Sequence, residues 1–251
     1  WILDDLTPLH QIADELSEED FFLFRPHDAF RMRGSDFPSP HMGQNPANGS
    51  VIYYYFKERP SEEATLEFLD ASGRLIRKFS SKVEKESGAD EFSFERRQSA
   101  GLQALPAEAG MNRFILDMRY PDAERVPGAI LWGATLRGPV AVPGTYQVRL
   151  TLGEKTMTQS WAWKMDPRLP ITQEELQEQF DFLIKIREKI TGVNQAINQL
   201  RSVKKQIDSI SKQVERHEKG MEIIDAGKIL QKKLSEVENV LIQSKSKSSQ
   251  D

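Results

Sequence analysis

The pentapeptide Asp166-Pro167-Arg168-Leu169-Pro170 divides the 251-residue chain into two regions with different hydrophobic periods. Two prolines three apart stop a strand and cannot lie inside a helix. Before this point apolar residues come in short alternating runs; after it they recur every three or four residues. A strand region is therefore followed by a helical one.

From Val51 to Met165 the sequence reads as short strands separated by turns. Val51 to Lys57 is β-branched and aromatic, and Ala64 to Leu69 alternates. The turn Asp70-Ala71-Ser72-Gly73 then places Gly where a positive φ is needed, so that Arg74 to Phe79 returns as the second arm of a hairpin. Glu91 to Glu95, Asn112 to Met118, Thr145 to Leu152 and Lys155 to Met165 complete seven strand candidates. The last two form a second hairpin around Gly153-Glu154, with Tyr146, Val148 and Leu150 on one face and Gln147, Arg149 and Thr151 on the other. This pattern predicts an all-β antiparallel sandwich of immunoglobulin or fibronectin type over residues 51–166. With no cysteine in the chain, apolar packing must hold its sheets together.

Beyond the boundary, Thr172 followed by Glu174 and Glu175 is a helix start, with a hydroxyl cap and carboxylates at the positive end of the dipole. Leu183, Ile186, Ile190, Val193, Ile197 and Leu200 form a heptad seam. It shifts phase before continuing at Val203, Ile207, Ile210 and Val214. Gly220 and Gly227 bracket an expected turn, after which Ile229-Leu230, Leu234, Val237 and Leu241 carry a shorter second helix. Residues 167–246 are thus read as a coiled-coil-like α-helical hairpin, with a polar, disordered tail over 247–251. The seam can be covered within the chain, or by a protein partner or second copy, since the first helix is the longer.

Residues 1–50 lack a sustained period. An acidic, helical-looking stretch, the string Phe21-Phe22-Leu23-Phe24 and a loop rich in Pro and Gly predict an extended arm lying against another body. The start at Trp1-Ile2-Leu3-Asp4-Asp5-Leu6 suggests a fragment or processed product, with that body preceding Trp1.

Chemistry-bearing patterns are sparse. His10, His27, His41 and His217 lack metal-ligand spacing. Asp4-Asp5 and the acids from Asp14 to Asp20 read as an N-cap and a solvated face, because a glycosidase carboxylate pair needs a cleft this arm does not supply. Phosphate loops and nucleophile elbows are absent, and no cofactor is expected. Net charge is −4, and residues 172–251 carry 14 basic and 13 acidic groups, which argues against nucleic acid as a partner. Nowhere do about 18 apolar residues run together, so no transmembrane helix is expected. Trp161 and Trp163, two apart on a strand, share a face that is either sandwich core or a carbohydrate-stacking platform. The candidate interaction residues are Trp161, Trp163, Ile186, Ile190, Val193 and Ile197.

The order Trp1 to Leu9, Leu23-Phe24-Arg25-Pro26-His27-Asp28-Ala29-Phe30-Arg31, Gly43-Gln44-Asn45-Pro46-Ala47-Asn48-Gly49 and Val51 to Phe56 resembles the region after the β-propeller in large bacterial sortilin-like proteins. Those proteins carry neuraminidase-type Asp-box repeats and are often labelled glycosyl hydrolases. Ala109 to Phe114, Asp117-Met118-Arg119-Tyr120-Pro121, Gly138-Pro139 and Pro143 to Leu150 resemble that family's C-terminal Ig-like module, and Lys164 to Arg168 its exit into a helical tail.

The resemblance implies a non-catalytic accessory region of a secreted, periplasmic or cell-surface propeller protein. The upstream propeller would be its first partner, and any glycosidase chemistry would lie upstream. No Asp-box repeat occurs here, and no catalytic residue is assigned. The alternatives are a carbohydrate-binding module and a supporting part of a glycoside hydrolase.

Overall fold

The computed structural model describes residues 5–12, 19–32, 47–82, 104–131, 135–217 and 220–243. The expected strand Glu91 to Glu95, Asp4, His41, residues 13–18 of the helical-looking stretch from Leu6 to Glu19 and the polar tail lie outside the described residues, and the described part of that stretch forms one 3-10 turn, Leu9–Gln11. Among the described residues eight strands form two sheets: β1 (Phe21–Leu23), β2 (Ala29–Arg31), β3 (Ser50–Phe56), β4 (Ala64–Leu69), β5 (Leu75–Ser80), β6 (Gly110–Leu116), β7 (Gly144–Leu152) and β8 (Lys155–Met165). One sheet has the order β1-β3-β6, the other β2-β8-β7-β4-β5. Two long helices follow, α1 (Gln173–Val214) and α2 (Gly220–Leu241). The chain divides into two compact units: Trp1–Pro121 with Arg137–Phe182, and Asp122–Leu136 with Leu183–Asp251.

In the first unit both expected hairpins are present. β4 and β5 pair antiparallel across Asp70–Gly73, where the Asp70 carboxylate accepts from the amides of Ser72 (2.9 Å) and Arg74 (3.0 Å), and Gly73 has φ 81°. β7 and β8 pair antiparallel around Gly153, φ 57°. Alternation sets burial as read: Tyr146, Val148 and Leu150 are buried, while Gln147, Arg149 and Thr151 are half-exposed. One hydrophobic cluster takes side chains from both sheets, among them Ile52, Tyr54 and Phe114 from one and Leu66, Phe79 and Val148 from the other. The rings of Phe79 and Phe114 lie 4.8 Å apart.

Two features depart from the expectation. First, part of the predicted arm is strand: β1 pairs antiparallel with β3 and buries Phe21 and Leu23 in the core cluster. Second, β2 pairs parallel with β8, so the larger sheet is mixed rather than antiparallel. Asp28 fixes this edge, accepting from the Ala162 amide at 3.0 Å and from Lys164 Nζ at 2.7 Å. Such short strands owe their form to tertiary partners rather than to local propensity.

The start of α1 carries the expected hydroxyl cap, and the structure makes it reciprocal. The Glu175 amide donates to Thr172 Oγ1 at 3.2 Å, and the Thr172 amide donates to Glu175 Oε2 at 2.8 Å. In the second unit, α2 begins at Gly220, so Gly227 lies within a helix and not in the expected turn. Close packing explains that glycine: a Cβ there would stand 2.9 Å from Ile207 Cγ2 and 3.6 Å from Ser211 Oγ of α1. The polar contacts run in opposite order along the two helices. Arg201 and Lys204 meet Glu238, while Gln231 donates to Asp208.

Candidate interaction surfaces

β8 carries Trp161 and Trp163 with the same orientation, and both enter the core, at 2% and 3% exposure. Each indole N–H is satisfied internally. Trp161 Nε1 donates to Ser50 Oγ at 2.8 Å, and Trp163 Nε1 to the Ala141 carbonyl at 3.2 Å. Neither ring is available to stack on a sugar, so these two are corrected from candidate interaction residues to core residues. The reason is the inward side of a strand that lies between β2 and β7.

The other chemistry-bearing residues are dispersed. His10, His27 and His217 are exposed, and among the described residues no group of three His, Asp or Glu could hold a metal ion. Asp20 makes a 2.6 Å ion pair with Lys155, whose hydrogen bond holds the carboxyl below the usual range. A polar cluster surrounds Asp117. Arg77 Nη1 donates to Asp117 Oδ1 at 2.7 Å, Arg137 Nη2 stands 3.6 Å from Oδ2, and Arg119 Nη1 donates to the Gly138 carbonyl at 2.7 Å. Backbone geometry is tight here: Met118 has φ 55°, and a Cβ on Gly138 would lie 2.0 Å from the Tyr120 carbonyl oxygen. The cluster locks the segment after β6 onto the one before β7, which is a structural use of Asp117 and its arginines.

The helices of the second unit present a different surface. Ile186 is 40% exposed, Ile190 and Val193 are half-buried, and Ile197 is 1% exposed. Ile197 is therefore a core residue and is corrected from the interaction set; the other three remain at the surface to different degrees. Packing against this part of α1 comes from the segment after β6. Its Glu124 and Arg125 carbonyls accept from Asn194 (2.6 Å) and Asn198 (2.9 Å), and its Pro127 carbonyl from Arg201 (2.7 Å). Each of these α1 residues follows a seam position, Val193, Ile197 and Leu200, by one.

Glu238 sits between the helices with its side chain 10% exposed, paired with Arg201 Nε and Lys204 Nζ, both at 2.7 Å. Those hydrogen bonds, Lys204 first, hold its carboxyl below the ordinary glutamate range. Beyond the phase shift, four residues read from sequence as seam positions but not as interaction candidates are exposed, together with Ile223. Val203, Ile210, Ile223, Leu230 and Val237 are between 39% and 50% exposed. Their signal was the step of three from Ile197 to Leu200 followed by three to Val203, which turns the seam by about a quarter of a turn.

No helix among the described residues is long and apolar enough to cross a membrane. Compared with protein-family models and with curated proteins, the sequence matches none.

Proposed function

We propose that this chain is a non-catalytic spacer and docking region of a larger secreted or cell-envelope β-propeller protein. The two sheets act as an immunoglobulin- or fibronectin-like sandwich, and the two helices as an antiparallel hairpin that engages a protein partner. The observation that carries the docking role is the row of apolar side chains left 39–50% exposed on both helices. Contiguous exposed apolar surface of that kind marks an interaction site.

The resemblance to the module after a sortilin-like propeller supplies the context. Its residues fall where the fold depends on them, which supports a structural reading. A Cβ on Gly49 would stand 2.2 Å from the Leu116 carbonyl oxygen, and Asp28 ties β2 to β8. The shared core of the two sheets supports the sandwich, and the opposite order of the 201–238 and 208–231 contacts supports the hairpin. Incubation of the chain with a panel of fluorogenic glycosides and native glycans tests the non-catalytic assignment. No release of sugar is expected, and turnover that copurifies with the chain refutes it.

A further inference from the structure

Within the second unit, the polar residues through which the helices meet differ from those that form the apolar stripe, although one stripe pair, Ile207 against Gly227, also lies between the helices. Arg201, Lys204, Asp208 and Ser211 of α1 face α2. Each is preceded by a stripe residue: Leu200, Val203, Ile207, Ile210. On α2, Gln231 and Glu238 face α1, and they too are preceded by stripe residues, Leu230 and Val237. One residue back is a rotation of about 100° in the same sense along each helix. Because the contacts run in opposite order, that common sense brings both stripes onto one side of the pair. The segment carrying Glu124, Arg125 and Pro127 bonds to Asn194, Asn198 and Arg201 of α1, none of them a stripe residue.

We propose that this apolar side is the contact face for a second copy of the chain, which closes two helix pairs into a four-helix bundle across a two-fold axis. The inference rests on the docking role proposed above and names the occupant.

Three observations select it. On α2 the stripe Ile223, Gly227, Leu230, Leu234, Val237, Leu241 is spaced 4, 3, 4, 3, 4, and on α1 Leu200, Val203, Ile207, Ile210, Val214 is spaced 3, 4, 3, 4. Those are the knob positions of a bundle layer, and an identical layer supplies matching holes. Charge is close to neutral: the next positions out are Gln199, Gln206 and Gln213 on α1, with Glu222, Lys233 and Glu236 on α2. A face with so little charge does not repel its own copy, and it lacks the basic rim that an anionic lipid surface or nucleic acid selects. Finally, the stripe runs about 27 Å along α2, from Ile223 to Leu241, and about 21 Å along α1, from Leu200 to Val214, so at about 10 Å per helix a copy covers about 480 Å². Counting both partners gives about 1,000 Å², at the lower bound of specific interfaces.

The test is the light-scattering mass of the full chain across a broad concentration range, beside Ile210→Lys and Val237→Lys. Both positions are about half exposed, so the helices should form as before by circular dichroism. The expected result is twice 28.7 kDa, with each variant weakening association by about 100-fold, the scale of burying an unpaired charge. Lys205→Glu, away from the stripe, leaves the mass unchanged. A mass of 28.7 kDa throughout, or a dimer untouched by both stripe variants, overturns the proposal. Neither result bears on glycan turnover, which tests the functional reading separately.

Discussion

Three glycines in the helices face different surroundings, and replacing each by alanine should give three different results. Gly192 is exposed within α1 and a Cβ there meets nothing within 4 Å. The substitution removes backbone freedom from the unfolded chain and should stabilise by about 1 kcal/mol. At Gly227 the same gain is opposed by a Cβ 2.9 Å from Ile207 Cγ2. That methyl sits on a β-branched carbon with a stiff χ1 and cannot swing away, so an overpacking cost of about 2 kcal/mol leaves the variant about 1 kcal/mol less stable. At Gly220 the Cβ would stand 1.9 Å from the Val214 carbonyl oxygen, a backbone atom, and the turn itself must open. A loss of about 3 kcal/mol is expected there. Equilibrium urea unfolding followed by far-UV circular dichroism, which reports mainly the helices, measures the series. In an Ile207→Ala background the Gly227→Ala change should reverse sign, because the obstructing methyl is gone. If Gly227→Ala stabilises the otherwise unchanged chain as much as Gly192→Ala does, the close approach of α1 and α2 at that level is wrong.

Glu238→Ala should cost about 2 kcal/mol in the same assay, less than breaking a fully buried pair because Arg201 and Lys204 retain 31% and 23% side-chain exposure. A loss below a few tenths would show that the triad does not set the helix register. Ser50→Ala leaves the buried Trp161 indole N–H without its acceptor and should cost about 2 kcal/mol, with Ser50→Thr largely restoring it. Acid should weaken the first unit through Asp166. Its hydrogen bonds from Arg168 lower the carboxyl to about 2, so the folded state binds fewer protons than the unfolded chain below the ordinary aspartate value. This contribution is complete above about pH 4 and disappears as pH falls through about 2. Asp166→Asn should flatten the loss of stability over that window, and an identical acid profile in the variant would contradict the ion pair.

How far the fold can be read from sequence depended on how local its causes are. The hairpins at Asp70–Gly73 and Gly153 are fixed by turn chemistry and alternation within a dozen residues, and both were readable. β2 was not, since its hydrogen-bond partner is β8, more than a hundred residues away, and its three residues have no pattern of their own. Gly227 misled for a related reason. A glycine signals a turn when only its own backbone is considered, but here it admits Ile207 of another helix. Trp161 and Trp163 show the limit of period-two reasoning: spacing placed both on one face, while the neighbouring strands decided that the face is internal.

The proposed docking face arises because the helix seam changes side. Up to Ile197 the apolar positions of α1 are increasingly buried, and the carbonyls of Glu124, Arg125 and Pro127 are held one residue past them. Had the spacing continued as 4 and 3, the later apolar residues would have faced α2, and the pair would have closed on itself with a dry interface. The two successive steps of three at Leu200 and Val203 prevent this. Beside the approach of Ile207 to Gly227, they leave the inter-helix contact to Arg201, Lys204, Asp208, Gln231 and Glu238, a polar set that fixes register at little gain in stability. Stripe positions on both helices are then left partly exposed. Restoring the phase by inserting one residue after Leu200 should therefore bury the stripe within the pair and abolish association, while separating Glu238 from both its cations.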